Sequence, residues 1–128
     1  MMSNVEVARL LEEIADLLEI ANENPFKVRS YRRAVETVEG APEEVATLVA
    51  EGRLEELPGI GKGIAEVITE LVTTGHSQYL TQLTAQVPES LLQMLRIPGF
   101  GPRKASQVFH DLGLTTLDEL EAAAKAGR

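Results

Sequence analysis

The stretch Leu57-Pro58-Gly59-Ile60-Gly61 recurs forty residues later in the chain as Ile97-Pro98-Gly99-Phe100-Gly101. Proline fixes φ and glycine tolerates positive φ, so each copy predicts a tight turn. A helical pattern of apolar residues follows each copy, and a short helix is predicted before each, over residues 43–51 and 88–95. The repeat therefore predicts two units, each made of a helix, a glycine-rich hairpin and a second helix.

The segments outside the repeat also carry helical patterns. Apolar residues at spacings of three and four predict a first helix over about residues 4–22. Asn24-Pro25 predicts the start of a second helix that ends at Gly40, and residues 77–86 are predicted to form a helix that connects the two units. No stretch alternates apolar and polar residues as a half-buried strand does. The predicted fold class is therefore all-α, a helical bundle with two helix-hairpin-helix motifs.

The composition excludes several classes of site. The 128-residue chain contains no cysteine, which excludes disulfides, thiolate metal sites and cysteine nucleophiles. His76 and His110 are too far apart in sequence for a local metal-ligand motif. No apolar run approaches the roughly 20 residues that span a bilayer, and the first residues lack the pattern of a secretory signal. We expect no membrane partner and a cytoplasmic location.

Positive charge is concentrated in two short blocks. The net charge of −8 argues against diffuse attraction to nucleic acid, but residues 24–38 and 96–110 each carry +3. Two interpretations stay open at this point: the blocks either bind phosphate or are solvated faces of helices.

Each hairpin has the chemistry of a phosphate site. The second glycine opens a helix whose first N–H groups have no internal partner and lie at the positive end of the helix dipole. Such backbone contacts read no base edge, so the predicted binding to DNA is independent of sequence. The predicted DNA phosphate contacts are Gly59, Gly61, Lys62, Gly63, Gly99, Gly101, Arg103 and Lys104. The alternative is a pair of ordinary turns in which glycine serves the geometry alone.

Four segments extend this motif into a family resemblance. They are residues 17–20 (LLEI), 24–34 (NPFKVRSYRRA), 57–66 (LPGIGKGIAE) and 97–105 (IPGFGPRKA). Along nearly its full length the chain resembles the N-terminal region of family X DNA polymerases, particularly bacterial ones, with a fold like the N-terminal domain of DNA polymerase beta. The resemblance implies that residues 1–86 form the "8 kDa" domain with the first motif, and that residues 87–128 form the segment with the second.

The resemblance also implies specific binding residues. Lys27 and Tyr31 match the family's pocket for the 5′-phosphate of a DNA gap, to which Lys62 would add charge; the alternative for Tyr31 is a half-buried aromatic with its hydroxyl in water. In the family the hairpins bind a monovalent cation, Na⁺ or K⁺, through backbone carbonyls, and no other cofactor is implied. The matching carbonyls are those of Glu55, Leu57, Ile60, Leu95, Ile97 and Phe100.

No catalytic residue is predicted in this chain. Some family members remove a 5′-deoxyribose phosphate with a Schiff-base lysine, a reaction that needs an amine, but the matching position is Val67. The chain also lacks the strand-rich domain whose aspartates hold the polymerase metals, and Asp16, Asp111 and Asp118 are interpreted as solvated charges. The parent protein is expected to be a DNA-directed DNA polymerase, a nucleotidyltransferase of base excision repair.

The predicted function is to grip gapped or nicked duplex DNA during gap-filling repair, as a monomer. The alternatives are a 5′-deoxyribose phosphate lyase and an all-α protein-interaction domain that docks a partner on the acidic first helix.

Residues 118–128 resemble residues 43–53, which lead into the first hairpin. On that match a third hairpin would begin just past Arg128, so we expect the chain to be part of a longer protein; the alternative is that acid-started helices often end in glycine.

Overall fold

The computed structural model describes residues 2–21, 23–87, 92–93, 98–99 and 101–111, and within them the chain is helical with no β-strand. This confirms the predicted all-α fold class. The elements are α1 (Asn4–Ile20), α2 (Pro25–Glu39), α3 (Val45–Ala50), a 3-10 helix (Leu54–Glu56), α4 (Lys62–Thr74), α5 (Gln78–Gln86) and α6 (Pro102–Asp111). The predicted domain division after residue 86 stays a prediction.

Helix α1 is the centre of the core. Its first amides are capped by Ser3, whose hydroxyl accepts a hydrogen bond from the Glu6 amide at 3.2 Å. The predicted apolar stripe is buried, and Leu11, Ile14 and Leu18 are fully inaccessible to solvent. Helices α2, α4, α5 and α6 all contact α1. From α6, Ala105 is completely buried in the same core.

Helix α2 begins and ends where the sequence predicts. The Asn24 side chain accepts a hydrogen bond from the Phe26 amide at 2.9 Å, Pro25 occupies the first helical turn, and Gly40 follows the last helical residue. One face of α2 packs on α1 through Val28, Tyr31, Ala34, Val35 and Val38.

A single arginine links α2 to the acidic side of α1. Arg32 reaches Glu12 and Asp16, each at 2.9 Å, and Glu19 at 3.5 Å. Burial raises the pKa of Asp16 above its usual value, although the hydrogen bond from Arg32 opposes that shift. Burial acts to lower the pKa of Arg32, but the hydrogen bond to Asp16 and the three negative charges raise it overall. Arg32 is therefore a charged link between helices.

Helix α3 depends on a cap supplied from α1. It spans Val45–Ala50, shorter than the predicted 43–51, and Glu44 at its start makes no side-chain cap. Instead, the Asn4 side chain accepts a hydrogen bond from the Val45 amide at 2.8 Å and donates one to the Glu43 carbonyl at 3.1 Å. A six-residue helix has little stability of its own, so we attribute its position to this two-point contact.

Two turns complete the frame of the candidate site. Gly75 ends α4 in the left-handed conformation, with φ 84°. The next helix, α5, is confirmed where 77–86 was predicted, and it is capped by the Ser77 hydroxyl. Glu70 of α4 also accepts a hydrogen bond from the Gln78 amide at 3.1 Å, which ties the two helices together. Between α3 and the 3-10 helix, Arg53 forms ion pairs with Glu43, Glu51 and Glu56.

We expect Asn4→Ala to destabilise the protein by about 1–2 kcal/mol, because it leaves the Val45 amide and the Glu43 carbonyl without their partner. Urea denaturation of the two proteins measures the difference. Thr47→Ala is the matched control, since Thr47 is exposed on the same helix, and its effect should stay within about 0.5 kcal/mol. Equal stability of Asn4→Ala and the unmodified chain would contradict the role given to this contact.

Candidate nucleic-acid interface

The first hairpin is a tight turn anchored by one apolar side chain. Gly59 has φ 79°, in the left-handed region that favours glycine, and the Ile60 amide donates to the Leu57 carbonyl at 3.3 Å. Ile60 is buried in the core, with 5% of its surface exposed. The turn therefore has its apolar residue inside and Pro58, Gly59 and Gly61 on the surface.

Helix α2 supports the outer side of this hairpin. The Thr37 hydroxyl donates to the Pro58 carbonyl at 3.1 Å. The stem of Arg33 crosses Gly59 so closely that a Cβ atom there would lie 2.7 Å from Arg33 Cδ. Glycine thus suits this position for two reasons: its φ is in the left-handed region, and a side chain here would force the Arg33 stem to move.

The start of α4 is open to solution. Ala65 is the first residue of α4 whose amide reaches a backbone carbonyl, that of Gly61 at 2.9 Å. The amides of Lys62, Gly63 and Ile64 have no backbone partner among the described residues. A Cβ atom at Gly61 or Gly63 would meet nothing within 4 Å. An anion can therefore approach these N–H groups, as the sequence predicts.

The second hairpin repeats this geometry where the structure describes it. Gly99 has φ 83°, and the Ala105 amide donates to the Gly101 carbonyl at 3.1 Å, as Ala65 does to Gly61 in the first motif. Arg103 and Lys104 are exposed on the first turn of α6. The remaining predicted residues of this hairpin, Leu95, Ile97 and Phe100, lie outside the described residues.

An open groove of about 690 Å³ lies between α2, the first hairpin, α4 and α5. We call it the tyrosine groove, because Tyr31 and Tyr79, the only two tyrosines of the chain, meet in it. Their ring centroids are 6.2 Å apart, and the Lys27 ammonium lies 5.0 Å from the centroid of the Tyr79 ring. Gly61 and Gly63 also line this groove. The structure therefore brings the predicted pair Lys27 and Tyr31 to the open start of α4.

Tyr31 is packed into the wall of the groove, with 5% of its surface exposed. Burial, with a smaller contribution from Tyr79, raises its pKa to about 12, so the phenol stays protonated at neutral pH. No described residue hydrogen-bonds to its hydroxyl, and within the described part of the chain no buried side-chain oxygen or nitrogen lacks a partner. The hydroxyl is thus free of protein partners and accessible, as the alternative of a half-buried aromatic with its hydroxyl in water also predicted, although Tyr31 is more deeply buried than that alternative expected.

Lys62 lies apart from this pair. It lines a separate depression of about 440 Å³ with Glu55, Ala65, Thr69 and Thr73, together with Glu66 and Glu70, whereas the tyrosine groove is lined by its neighbours Gly61 and Gly63. Successive residues of a helix point about 100° apart, so Lys62 points in a different direction from Gly61 and Gly63, although Glu66 and Glu70 line both depressions. The structure brings Lys27 and Tyr31 together and does not add Lys62 to them, and a phosphate contact by Lys62 stays a prediction.

Sequence reasoning missed Tyr79 and the environment of Val67. Tyr79 lies in α5, 48 positions from Tyr31, and the only signal for it was that the chain has a second tyrosine. Val67, which matches the position of the Schiff-base lysine, is buried and lines the tyrosine groove. This groove thus has an apolar side chain where that chemistry would need an amine.

The carbonyls predicted to hold a monovalent cation are available in the first hairpin. The Glu55 and Ile60 carbonyls accept no backbone amide among the described residues, and the Leu57 carbonyl, which accepts the Ile60 amide, has a second lone pair. A set of carbonyl oxygens is the donor set that hard cations prefer. Binding of Na⁺ or K⁺ by these three carbonyls stays a prediction.

This arrangement of two helices around a glycine hairpin is matched by a known domain family. The sequence pattern of the "Helix-hairpin-helix domain" family matches residues 2–77, more than half of the chain. The chain belongs to the helix-hairpin-helix domain family.

The chain is also similar to part of a bacterial polymerase. The chain is 35% identical over 124 residues to "DNA polymerase/3′-5′ exonuclease PolX" of Bacillus subtilis (strain 168). The match covers 97% of this chain and 21% of the relative, in its N-terminal part. The predicted resemblance to the N-terminal region of a bacterial family X polymerase is confirmed, and the chain spans about a fifth of that relative's length. Within the described ranges, no helix has the length and hydropathy to cross a membrane.

The two glycines of the first hairpin should respond differently to substitution. Gly59→Ala should cost about 1–2 kcal/mol of stability, because alanine at φ 79° is strained and its Cβ meets the Arg33 stem. Gly61 has φ −85° and free space around it, so Gly61→Ala should stay within about 0.5 kcal/mol of the unmodified chain. Thermal or urea unfolding compares the two, and equal losses would contradict this assignment.

Proposed function

We propose that this chain is a sequence-independent DNA-binding module that holds gapped or nicked duplex DNA and its 5′-phosphate for gap-filling repair. One observation carries the proposal: Lys27 and Tyr31 line the same cavity as Gly61 and Gly63 at the open start of α4. The family match and the similarity to part of a bacterial DNA polymerase support binding to DNA in a polymerase context.

The groove offers donors of three kinds to one phosphate. The free amides at the start of α4 and the helix dipole favour an anion there. Lys27 supplies a full positive charge, and Tyr31, with its pKa near 12, supplies a neutral O–H. A terminal phosphate has more charge and more acceptor oxygens than an internal diester, so convergent donors favour it.

Two carboxylates limit where the anion can bind. Glu66 and Glu70 also line the groove, on later turns of α4. Each turn of a helix advances about 5.4 Å, so Glu70 lies about two turns from the first amides, whereas Glu66 lies about one turn from them and reduces the positive potential there. Glu70 in addition accepts the Gln78 amide. We therefore place the phosphate at the hairpin end of the groove, beside Gly61 and Gly63.

The proposal is one of binding rather than catalysis within this chain. Val67 lines the groove where a lyase would need an amine, so borohydride should trap no covalent adduct on DNA with a 5′-deoxyribose phosphate. For the whole protein we propose DNA polymerisation, which the name of the Bacillus relative supports, together with a role in gap-filling repair and a cytoplasmic location at the bacterial nucleoid. A cation held by the carbonyls of Glu55, Leu57 and Ile60 would supply a positive charge beside a DNA phosphate.

Removal of the Lys27 charge should abolish the preference for a 5′-phosphate. We expect the unmodified chain to bind a duplex with a one-nucleotide gap more tightly when the gap carries a 5′-phosphate than a 5′-hydroxyl, by about 1–2 kcal/mol. Lys27→Ala should lose most of that difference in fluorescence anisotropy titrations. Arg9→Ala, an exposed charge on α1, is the control and should keep it. Equal binding of the two DNAs by the unmodified chain would refute the pocket.

A bulky residue at Gly61 should weaken DNA binding without unfolding the chain. Gly61 has φ −85° and ψ 179°, which valine adopts readily, and nothing lies within 4 Å of its Cβ position. The added side chain would instead occupy the space through which a phosphate reaches the α4 amides. Gly61→Val should thus retain its helical circular dichroism and bind gapped DNA about tenfold more weakly, a loss typical of hydrogen bonds to a charged group. Unchanged affinity in a folded variant would contradict the amide contact.

A further inference from the structure

A second cleft, of about 570 Å³, adjoins the tyrosine groove. Ser30 and Gly59 line both cavities and thus form the ridge between them. We call this cavity the arginine cleft, because four arginines line it: Arg29, Arg32, Arg33 and Arg103. The first three come from α2, and Arg103 comes from the helix that follows the second hairpin.

Three of these arginines carry charge that the described residues leave unpaired. Arg32 is shared among Glu12, Asp16 and Glu19, and the residues that line the cleft are four arginines and two acids, one of which is Glu19. Arg29, Arg33 and Arg103 form no ion pair among the described residues. The remaining acid is Glu36. The cleft is therefore a positive site in a chain whose net charge is −8.

The arginines of α2 are held in place by their surroundings. The Arg29 guanidinium lies 5.7 Å from the centroid of the Phe26 ring, a distance at which the cation and the ring attract. The Arg33 stem is packed across Gly59 of the first hairpin. Arg103 lies two residues after Gly101 of the second hairpin. The cleft is thus the place where the cations of α2 face Arg103 of the second motif.

We propose that the arginine cleft is a second phosphate site, which binds internal phosphodiesters of a DNA strand that runs between the two hairpins. The inference rests on the proposed function and adds to it Arg29 and Arg33, which belong to neither hairpin. Arginine suits this task because its planar group donates two parallel hydrogen bonds to phosphate oxygens. A strand bound there meets side-chain charge on both sides, whereas the 5′-phosphate in the tyrosine groove meets amides and one lysine.

The test uses variants that remove one charge at a time. The probe is a duplex with a one-nucleotide gap and a 5′-hydroxyl, so that the tyrosine groove contributes little to the affinity. Arg29→Gln and Arg103→Gln should each bind it about tenfold more weakly. The slope of log affinity against log salt should fall by about 0.9 for each variant, as expected for one lost contact to duplex phosphate. Arg9→Gln removes the same charge outside the cleft and should change affinity less than twofold.

Two further measurements connect the arginines to one site. The double variant should lose less affinity than the product of the two single fold-losses, because neighbouring contacts to one strand are coupled. Arg29→Gln and Arg103→Gln should also keep the preference for a 5′-phosphate, which Lys27→Ala loses.

Several outcomes would overturn the inference. If Arg29→Gln and Arg103→Gln behave like Arg9→Gln while Gly61→Val still weakens binding, the cleft is not a DNA site and the proposed function survives. If the unmodified chain binds no gapped DNA, both proposals fail. If dTTP binds alone and loses affinity in Arg29→Gln while DNA affinity is unchanged, the cleft takes the phosphates of a free nucleotide instead of a strand.

Discussion

The arrangement of this protein depends on the burial of one face of α1. Leu11, Ile14 and Leu18 are fully inaccessible to solvent, and each such side chain contributes about 1.5–3 kcal/mol when it leaves water. Helices α2, α4, α5 and α6 all contact α1. Both proposed DNA sites are built from α2, α4, α5 and α6 together with the first hairpin. The distances within those sites are therefore set by how each helix packs on α1, which itself contributes only Glu19 to their walls.

The same helix pair explains how an acidic chain can present positive charge. Arg32 forms ion pairs with three acids of α1 that would otherwise repel DNA, namely Glu12, Asp16 and Glu19. Ion pairs at partly exposed positions add little stability, and the raised pKa of Asp16 shows that burial outweighs the stabilisation it receives from Arg32. With one guanidinium against three carboxylates, the cluster reduces the negative charge on this side of α1 without cancelling it. It leaves Lys27, Arg29 and Arg33 on the outer side of α2 for an external anion.

The sequence was sufficient for features set by local rules. The start of α2 at Asn24-Pro25 and the left-handed φ of Gly59 and Gly99 follow from residue types at fixed spacing, and the structure agrees with each. What the sequence could not show depends on packing between distant segments. The contact of Tyr79 with Tyr31 joins α5 to α2, and the cap of α3 comes from Asn4, some forty residues earlier.

For Lys62, the expected placement of the side chain differs from its placement in the structure. The resemblance to family X polymerases implied that Lys62 would share a pocket with Lys27 and Tyr31. In the structure, the rotation of about 100° per residue along a helix directs Lys62 to a different depression, lined by Glu55, Glu66 and Glu70. Spacing along the chain thus predicted which residues lie near the hairpin, but not which side of α4 each side chain faces.

The two hairpins share a geometry but differ in the donors that they offer to DNA. In the first motif, Gly61-Lys62-Gly63 gives an uninterrupted run of N–H groups and two positions without side chains. In the second, Pro102 has no N–H, and Arg103 and Lys104 follow it. Fixed amides need a phosphate at a defined point, whereas long charged side chains can follow phosphates over a range of positions and are screened more by salt. The first motif therefore suits a single terminal phosphate beside Lys27, and the second suits the internal phosphates of a continuing strand. That strand would lie along the arginine cleft between the two motifs.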